Sequence, residues 1–226
     1  MIHQTRFLVP GMRRWSGAVV LTCMLALPGC SPNVTSAAVA ATPEAVVVAP
    51  TVNGKAMAYA LFAGGCFWCI EADFEKLPGV LEVESGYTAG QTPHPTYEQV
   101  SAGHTGHTEA VRVLYDPTQV SYAQLVEYFW KHIDPTVKDR QFCDVGSQYR
   151  SGIYWQTDTE RQTAEASRDA LLKSGRFPAI HTELARASAF YLAEEYHQDY
   201  YKKNELRYSY YRLSCGRDAR VKKLWG

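Results

Sequence analysis

After position 57 the hydrophobic and polar residues follow patterns typical of alternating strands and helices. The apolar run Ala58–Ala63 predicts a buried strand, and Glu71–Leu77 predicts a helix that ends at a Pro-Gly pair. Apolar and polar positions alternate in Val80–Tyr87 and Thr108–Tyr115, which predicts two further strands. Ser121 is the predicted N-cap of a helix whose apolar face carries Leu125, Val126, Phe129 and Trp130.

The rest of the chain predicts shorter elements around one long loop. Residues 134–149 have no period, and connections of this length in a compact domain are usually functional. The tail, residues 204–226, shows no clear element before its end. Strands separated by helices predict an α/β or α+β sandwich. The further predicted elements are a helical turn at 97–100, strands at 152–155 and 180–185, and helices at 158–173 and 193–200.

The N-terminal residues have the pattern of an export signal. Arg13 and Arg14 precede a short apolar run that ends in the tetrad LPGC at Cys30. The run is too short to span a bilayer comfortably, so residues 1–29 are predicted to be a signal peptide. LPGC resembles a bacterial lipoprotein box, which implies that Cys30 becomes the lipidated first residue. The alternative is an ordinary signal peptide that is cleaved within residues 36–41.

The expected location follows from this signal. A lipidated Cys30 implies an extracytoplasmic, periplasmic protein that is attached to a membrane through its lipid anchor, and Ser31 favours the outer membrane. Residues 30–56 are rich in Ala, Val, Thr and Pro with almost no charge, so a flexible tether is predicted. Residues 57–226 are then one catalytic domain, long enough to bury a core.

Charge excludes one class of partner. The chain has 23 Lys and Arg and 23 Asp and Glu, so its net charge is zero, and no basic stripe is visible. Nucleic-acid binding therefore has no electrostatic support. Zero net charge without a heptad pattern makes a monomer the expected state.

The stretch GGCFWCIE, Gly64–Glu71, carries the clearest chemical signal. Two glycines between a predicted strand and a predicted helix indicate a tight turn that places Cys66 at the start of the helix. The free N–H groups and the positive dipole end of a helix favour thiolate over thiol, and the thiolate is the nucleophile. The alternative is an inert cysteine buried in the core.

Further motifs follow in order along the chain. GGCFWCIE, GYTAGQTPHPTY, HTGHTEAVRVLYDP, IDPT and GSQYRSGIYW resemble the motifs of the type A peptide methionine sulfoxide reductases, over nearly all of residues 57–155 and more weakly beyond. The resemblance implies reduction of the S epimer of methionine sulfoxide, free or in proteins. The expected fold is α+β, a two-layer α/β sandwich with a ferredoxin-like core, a mixed sheet, helices and long coil segments.

The resemblance also implies roles for individual residues. Cys66 would attack the sulfoxide sulfur, and Glu109 would donate the proton, with its pKa raised by burial. Tyr97 and Tyr149 match oxygen-binding tyrosines, and Asp144 matches a position that shapes the site. Phe67 and Trp68 match the apolar wall that holds the substrate's S-methyl group. From the residues alone, the favoured interpretation of Glu109 is a solvated residue on an edge strand. Half-buried tyrosines, core aromatics and a turn aspartate are the ordinary alternatives for the other residues.

Attack would leave Cys66 as a sulfenic acid. A second thiol would then condense with it to form a disulfide, which an outside dithiol reductant opens. Cys215 matches the family's C-terminal recycling cysteine and is the first candidate. Cys69, where the commoner family pattern has Gly, and Cys143, where many relatives have Asn, are the others. No bound cofactor is expected, and the reductant would be thioredoxin or a thioredoxin-like protein.

Two other classes of function remain open at this stage. Cys66 and Cys69 could form the redox pair of a thiol–disulfide oxidoreductase in the cell envelope. They could also bind zinc together with His94, His104 and His107 in a non-catalytic envelope module. A bound metal would quench the nucleophile, so no metal is expected.

Overall fold

The computed structural model of the protein describes residues 50–226. The predicted signal peptide, Cys30 and the tether up to residue 49 lie outside this range. None of the helices within it is long and apolar enough to cross a membrane. The strands are β1 Thr51–Val52, β2 Lys55–Ala56, β3 Ala58–Gly64, β4 Val80–Thr88, β5 Thr108–Tyr115, β6 Arg140–Gln141, β7 Asp144–Val145, β8 Ser151–Trp155, β9 Glu183–Arg186 and β10 Tyr191–Leu192. The α-helices are α1 Phe67–Phe74, α2 Tyr97–Ser101, α3 Tyr122–Trp130, α4 Asp158–Lys173, α5 Tyr200–Lys203, α6 Glu205–Ser214 and α7 Arg217–Trp225.

The main sheet has six strands in the order β10-β4-β5-β3-β8-β9. All neighbours are antiparallel except β8 and β9, which are parallel, so the sheet is mixed as predicted. Its centre is built, in chain order, from β3, α1, β4, β5, α3 and β8. Across the sheet these four strands lie in the order β4-β5-β3-β8. This is the βαββαβ topology of a ferredoxin-like core, which confirms the expected fold.

Aromatic side chains join the sheet to the two helices of this core. The Phe62 ring on β3 stacks on Phe74 of α1 at 4.9 Å and on Phe129 of α3 at 5.1 Å. All three side chains are buried, and each such burial stabilises the fold by about 1.5–3 kcal/mol. The predicted N-cap Ser121 is confirmed, because its hydroxyl accepts from the backbone N–H of Gln124. The core therefore holds α1, and with it the cysteine motif, rigidly against β3.

The C-terminal tail is helical, and the prediction that it lacks clear elements was wrong. Helices α5, α6 and α7 fill residues 200–225, while the predicted helix over 193–200 is mostly turns. The tail packs over α1 through Tyr208, and through Arg212, whose guanidinium lies 2.9 Å from buried Asp73. The inward face of α6 therefore carries Tyr and Arg rather than aliphatic residues, which is why a hydrophobic pattern does not reveal it.

The end of the predicted tether is also structured. Strands β1 and β2 form an exposed antiparallel hairpin with Asn53 and Gly54 at its turn. Both residues have positive φ, 50° and 77°, as a two-residue hairpin turn requires. The Asn-Gly pair is a strong hairpin signal, and the prediction of a flexible tether was wrong for residues 51–56.

Candidate active site

A tight turn with glycine at position 65 places Cys66 at the start of α1, as predicted. Gly65 has φ +84°, and a Cβ there would lie 2.5 Å from the Cβ of Gln141, so only glycine fits. Cys66 is the N-cap of α1, which begins at Phe67 rather than at Glu71. The Cys66 side chain is only 6% exposed. Burial of the thiol follows from the position of the turn between the sheet and the tail.

Glu109 lies directly beside the start of this helix. The backbone N–H of Phe67 donates to Glu109 Oε2 at 3.0 Å, and the carboxyl is 2% exposed. Burial raises the pKa of Glu109 to about 8, with smaller contributions from the charges of Asp144 and Cys69, and the Phe67 hydrogen bond opposes the shift. At neutral pH the Glu109 carboxyl therefore carries a proton, as a proton donor must.

The structure brings Tyr97 and Tyr149 to the same place. Tyr97 begins α2, and Tyr149 ends a single 3₁₀ turn after β7. Burial raises the pKa of Tyr97 to about 12, and the charges of Glu109 and Cys66 add to it. The pKa of Tyr149 is raised by burial and by the same two groups. Both phenols therefore stay protonated, as donors close to the thiol and the acid.

Asp144 is joined to the site by Tyr211, a tail residue that none of the sequence motifs contains. The hydroxyl of Tyr211, on α6, donates to Asp144 Oδ2 at 2.6 Å, and the Tyr211 side chain packs against the buried cluster that contains Cys66. Burial raises the pKa of Asp144, and the Tyr211 hydrogen bond opposes the shift. Tyr211 thus links the predicted shaping residue to the thiol.

Phe67 and Trp68 form an aromatic wall, and the tail covers it. Phe67 is 1% exposed, and the Trp68 ring stacks on Tyr200 with centroids 3.7 Å apart. The Trp68 indole N–H donates to Nδ1 of buried His197 at 3.0 Å, which fixes the ring. Tyr211 meets the Trp68 ring edge-on at 5.9 Å. An apolar group next to Cys66 would find these rings around it.

Cys69 is the thiol in contact with Cys66. The two side chains belong to one buried cluster, and both are free thiols. Burial raises the pKa of Cys66, and the contact with Cys69 adds to this, so the expectation of a thiolate at Cys66 was wrong for this state. The pKa of Cys69 is lowered, chiefly by the neighbouring Cys66 thiol, and burial opposes the shift. The helix N-terminus alone does not overcome the loss of water around Cys66.

A buried ion cluster supports Cys69. Arg217 is 2% exposed and donates to the carbonyl oxygens of Gly64 and His132 at 3.2 and 2.9 Å. Its Nε lies 3.7 Å from Asp73 Oδ2, while Arg212 binds the other oxygen of that carboxylate. The positive charges of Arg217 and Arg212 lower the pKa of Cys69. No local sequence pattern indicates this cluster, because it joins Asp73 of α1 to two positions in the tail.

The other two candidate recycling cysteines are paired with each other. Cys143 and Cys215 form a disulfide whose Cα atoms are 5.0 Å apart. Cys215 lies at the end of α6, four residues after Tyr211, and Cys143 precedes Asp144. The first-ranked pairing of Cys66 with Cys215 thus stays a prediction, while Cys69 is the residue the structure places against Cys66.

The three histidines of the zinc hypothesis do not lie together with the cysteines in the structure. His94 and His104 are exposed, and His107 is buried with Nε2 at 2.8 Å from the Thr92 carbonyl oxygen. Within residues 50–226, the groups of side chains close enough to share a metal contain no histidine. One is Cys143, Asp144 and Cys215, where the disulfide occupies both sulfurs, and the other is Glu71, Glu75 and Asp199.

The chemistry available at this site is thiol chemistry with a proton donor at hand, so the fold and the site define a thiol-dependent oxidoreductase. Residues 58–226 match the family model described as peptide methionine sulfoxide reductase, and the chain belongs to that family. It is therefore an enzyme that uses thiols to reduce methionine sulfoxide.

Individual proteins of known family are similar to this chain in sequence and in structure. The chain is 48% identical over 178 residues to the peptide methionine sulfoxide reductase MsrA 2 of Caulobacter vibrioides, covering 79% of this chain and 90% of that protein. It is 48% identical over 168 residues to MsrA of Bacillus licheniformis, covering 74% and 93%. Reduced Mxr1 of Saccharomyces cerevisiae superimposes with a TM-score of 0.62 at 30% identity, over 69% of this chain and 90% of that one. Methionine sulfoxide reductase A of Corynebacterium diphtheriae gives 0.60 at 37%, over 66% and 76%.

Proposed function

We propose that Cys66 is the nucleophile that reduces methionine S-sulfoxide. Its sulfur attacks the sulfoxide sulfur, the sulfur–oxygen bond of the substrate breaks, and methionine leaves. Cys66 loses its thiol proton as it attacks, and the oxygen, with one proton from Glu109, ends on Cys66 as a sulfenic acid. The proton lost by the thiol replaces the one that Glu109 gave. The observation that carries the proposal is the buried Glu109, joined to the helix of the nucleophile by the 3.0 Å bond from Phe67 N–H.

Glu109 supplies the proton in this proposal. Charge develops on the oxygen as its bond to sulfur breaks, and a neutral carboxylic acid meets that charge best when its pKa is close to the working pH. Tyr97 and Tyr149 hold the same oxygen by their O–H groups, since both phenols remain protonated. Asp144 orients these groups, and Phe67 and Trp68 surround the S-methyl group.

Substrate entry requires the tail to move. Tyr211 packs against the cluster that contains Cys66, and Tyr200 lies flat against Trp68, so both occupy space that a bound methionine side chain needs. The disulfide between Cys143 and Cys215 fastens the end of α6 to the loop that carries Asp144. The arrangement in which the substrate binds is therefore the fully reduced one, with this disulfide open.

Cys69 is the proposed first resolving thiol. It contacts Cys66, and its lowered pKa gives it thiolate character that Arg217 and Arg212 support. Its attack on the sulfenic acid releases water and forms a Cys66–Cys69 disulfide. Exchange with the thiols of Cys143 and Cys215 then returns Cys66 and Cys69 to thiols and leaves the outer disulfide, the state that the structure contains.

An outside dithiol closes the cycle, and no bound cofactor is needed. We propose thioredoxin or a thioredoxin-like protein as that reductant, and sulfoxide-bearing proteins together with free methionine sulfoxide as substrates. Lipidation of Cys30 would place the enzyme in the periplasm on a membrane, where it would repair oxidised envelope proteins. Mass spectrometry of the mature N-terminus tests this location, because an unmodified N-terminus within residues 36–41 would contradict it.

Turnover with a racemic methionine sulfoxide compound and dithiothreitol tests the activity. The proposal predicts consumption of the S epimer only and complete loss of activity in Cys66→Ser. Cys69→Ser is the matched control for the dithiol alternative: a CxxC oxidoreductase loses insulin-disulfide reduction in both variants and produces no methionine. Consumption of neither epimer by the wild-type protein would overturn the proposal.

A further inference from the structure

Glu194 lies in the turn after β10, and both oxygens of its carboxylate are bonded to residues near the site. Oε1 accepts from the backbone N–H of Tyr97 at 2.8 Å, and Oε2 accepts from the hydroxyl of Tyr87 at 2.8 Å. These partners lie 97 and 107 positions earlier in the chain. No step of the proposed reaction uses Glu194, although its carboxylate joins the start of α2 to β4.

The bond to Tyr97 holds a short helix that has little packing of its own. Tyr97 is the first residue of α2, and the first N–H groups of a helix have no partner within it. Val100 is the one buried residue of this five-residue helix, so few apolar contacts fix its position. The Tyr97 ring lies 4.4 Å from the ring of His197, three positions after Glu194. One segment of the chain thus holds both the backbone and the ring of Tyr97.

The bond to Tyr87 reaches the surroundings of the acid. Tyr87 is buried and lies directly opposite Glu109 in the antiparallel pairing of β4 with β5. Opposite residues of such a pair have neighbouring side chains on one face of the sheet. The Tyr87 ring also lies 5.9 Å from the ring of Phe67. Glu194 therefore ties Tyr97 to a side chain that neighbours both Glu109 and the aromatic wall.

The segment that carries Glu194 is fastened to the main sheet. Strand β10 pairs with β4, and the N–H of Ala193 donates to the Ser85 carbonyl oxygen at 2.9 Å. The side-chain amide of Gln198 donates to the same carbonyl oxygen and accepts from the Ser85 N–H, both at 2.9 Å. The sheet therefore sets the position of Glu194, separately from Tyr200 and Tyr211, which must move to admit the substrate.

Glu194 accepts these bonds as a carboxylate. Burial acts to raise the pKa of Glu194, but the hydrogen bonds from the Tyr97 N–H and the Tyr87 hydroxyl outweigh it, so the pKa lies below its usual range. An ionised carboxylate is an acceptor only, and its hydrogen bonds are shorter and stronger than those between neutral groups. Both bonds are thus suited to fixing the position of their donors.

We infer that Glu194 is a positioning residue, which holds Tyr97 where its phenol can donate to the sulfoxide oxygen of the substrate. The inference rests on the proposed function, in which Tyr97 is one of two donors to that oxygen. A donor stabilises the developing charge only at hydrogen-bond distance from the place where the oxygen lies in the transition state. Small displacements of such a group are costly to the rate. Glu194 itself gives no proton and acts through Tyr97.

Two substitutions separate the position of Glu194 from its charge. Glu194→Asp keeps the charge, but the side chain is one methylene shorter and cannot reach both donors. Glu194→Gln loses the charge, but its oxygen can accept from the Tyr97 N–H and its amide can donate to the Tyr87 oxygen. In a single turnover of the fully reduced protein with methionine S-sulfoxide, the rate constant should fall about tenfold in Glu194→Asp and stay within about twofold in Glu194→Gln. The reverse order would show that charge matters instead and would overturn the inference.

Glu195→Asp is the matched control. Glu195 is the next residue, its side chain is 88% exposed, and its carboxylate pairs with Lys203 at 2.8 Å on the surface. The same shortening by one methylene should leave the single-turnover rate unchanged there. Equal losses in Glu194→Asp and Glu195→Asp would contradict the inference.

A double-mutant cycle tests whether the loss passes through Tyr97. If Glu194 acts by placing that phenol, Glu194→Asp should cost nothing further in a Tyr97→Phe background, because the donor is already absent. A merely structural role would instead give the product of the two single losses, about a hundredfold, and that result would overturn the inference.

The measurements separate failure of this inference from failure of the enzyme activity. Absence of methionine with the wild-type protein contradicts the proposed function itself, whereas an unchanged rate in Glu194→Asp contradicts the positioning role alone. If Glu194→Asp does not fold, Tyr87→Phe enters the same cycle, because it removes the donor that holds Oε2. It should slow turnover about threefold when Tyr97 is present and not at all in Tyr97→Phe. Equal slowing in both backgrounds would overturn the inference.

Discussion

The backbone N–H of Phe67 donates a 3.0 Å hydrogen bond to Glu109 Oε2. Phe67 is the first residue of α1, directly after Cys66, and Glu109 is the second residue of β5. One bond therefore fixes the separation between the helix that carries the thiol and the strand that carries the acid. The bond also aims the carboxyl at the N-terminal turn, so proton donor and nucleophile meet without a flexible loop between them.

Replacing Glu109 by glutamine tests the acid. Glu109→Gln keeps an acceptor for the Phe67 N–H but has no proton to donate, so the single-turnover rate should fall by about 10² or more. Because the pKa of Glu109 is about 8, the wild-type rate should decline as pH rises through 8, when the acid loses its proton. This alkaline decline should vanish in the variant.

Glu71→Gln is the matched control. Glu71 is another buried carboxyl on the same helix, with its pKa raised to about 8 mainly by burial. It faces Asp199, whose N–H donates to it at 3.1 Å, and we place it outside the chemistry. Its replacement should leave both the rate and the alkaline decline intact. Equal effects of the two substitutions would contradict the role of Glu109.

Glu71 should instead affect stability. An acid with a pKa near 8 in the folded state and about 4.5 when unfolded binds its proton more tightly in the folded protein. The free energy of unfolding therefore falls by about 1.4 kcal/mol per pH unit between pH 5 and 8 for each such group. Urea unfolding of Glu71→Gln should show a smaller fall over this window than the wild type. An unchanged slope would mean that Glu71 is ionised in the folded state.

Tyr97 and Tyr149 should each donate a hydrogen bond to the sulfoxide oxygen of the substrate. Tyr97→Phe and Tyr149→Phe should each lower the single-turnover rate by about tenfold, the value of one hydrogen bond that strengthens in the transition state. Tyr115→Phe is the control, because burial raises the pKa of Tyr115 to about 12 as well, but it lies at the far end of β5. A loss in the control equal to that at Tyr97 would indicate a packing effect instead.

Arg217 should affect both the stability of the fold and the rate at which Cys69 forms a disulfide with Cys66. Arg217→Met leaves Asp73 with one cation fewer and two carbonyl oxygens without a donor, which should cost about 3 kcal/mol of unfolding free energy. Loss of its charge should also raise the pKa of Cys69 and slow disulfide formation. The exposed Arg207→Met should change neither quantity in denaturant titration or thiol counting. An Arg217→Met variant with unchanged stability and an unchanged rate of disulfide formation would contradict the proposed role.

Local patterns were enough to predict an α/β or α+β sandwich and the position of Cys66, whereas the ferredoxin-like core was expected only through the family resemblance. The apolar run of β3, the Gly-Gly turn and the capping serine of α3 are all interactions between residues close in the chain. The Glu109 environment was anticipated only through the family resemblance, because its burial depends on a strand and a helix that meet in three dimensions.

The tail could not be predicted from local patterns, for a physical reason. Helices α6 and α7 are held by Tyr211 against Asp144 and by Arg212 and Arg217 against Asp73, all long-range contacts of residues counted as polar. The same contacts bury Cys66, which reversed the expected direction of its pKa. A helix N-terminus favours a thiolate, but burial under the tail outweighs it here.

The most direct test of the central claim is a rapid-quench single turnover of the fully reduced protein with one equivalent of methionine S-sulfoxide. Methionine and disulfides are followed by mass spectrometry. The account predicts one methionine per protein, then a Cys66–Cys69 disulfide, then its replacement by Cys143–Cys215. In Cys69→Ser it predicts methionine with a Cys66 sulfenic acid that dimedone captures. No methionine, or a direct Cys66–Cys215 bond as the first disulfide, would contradict it.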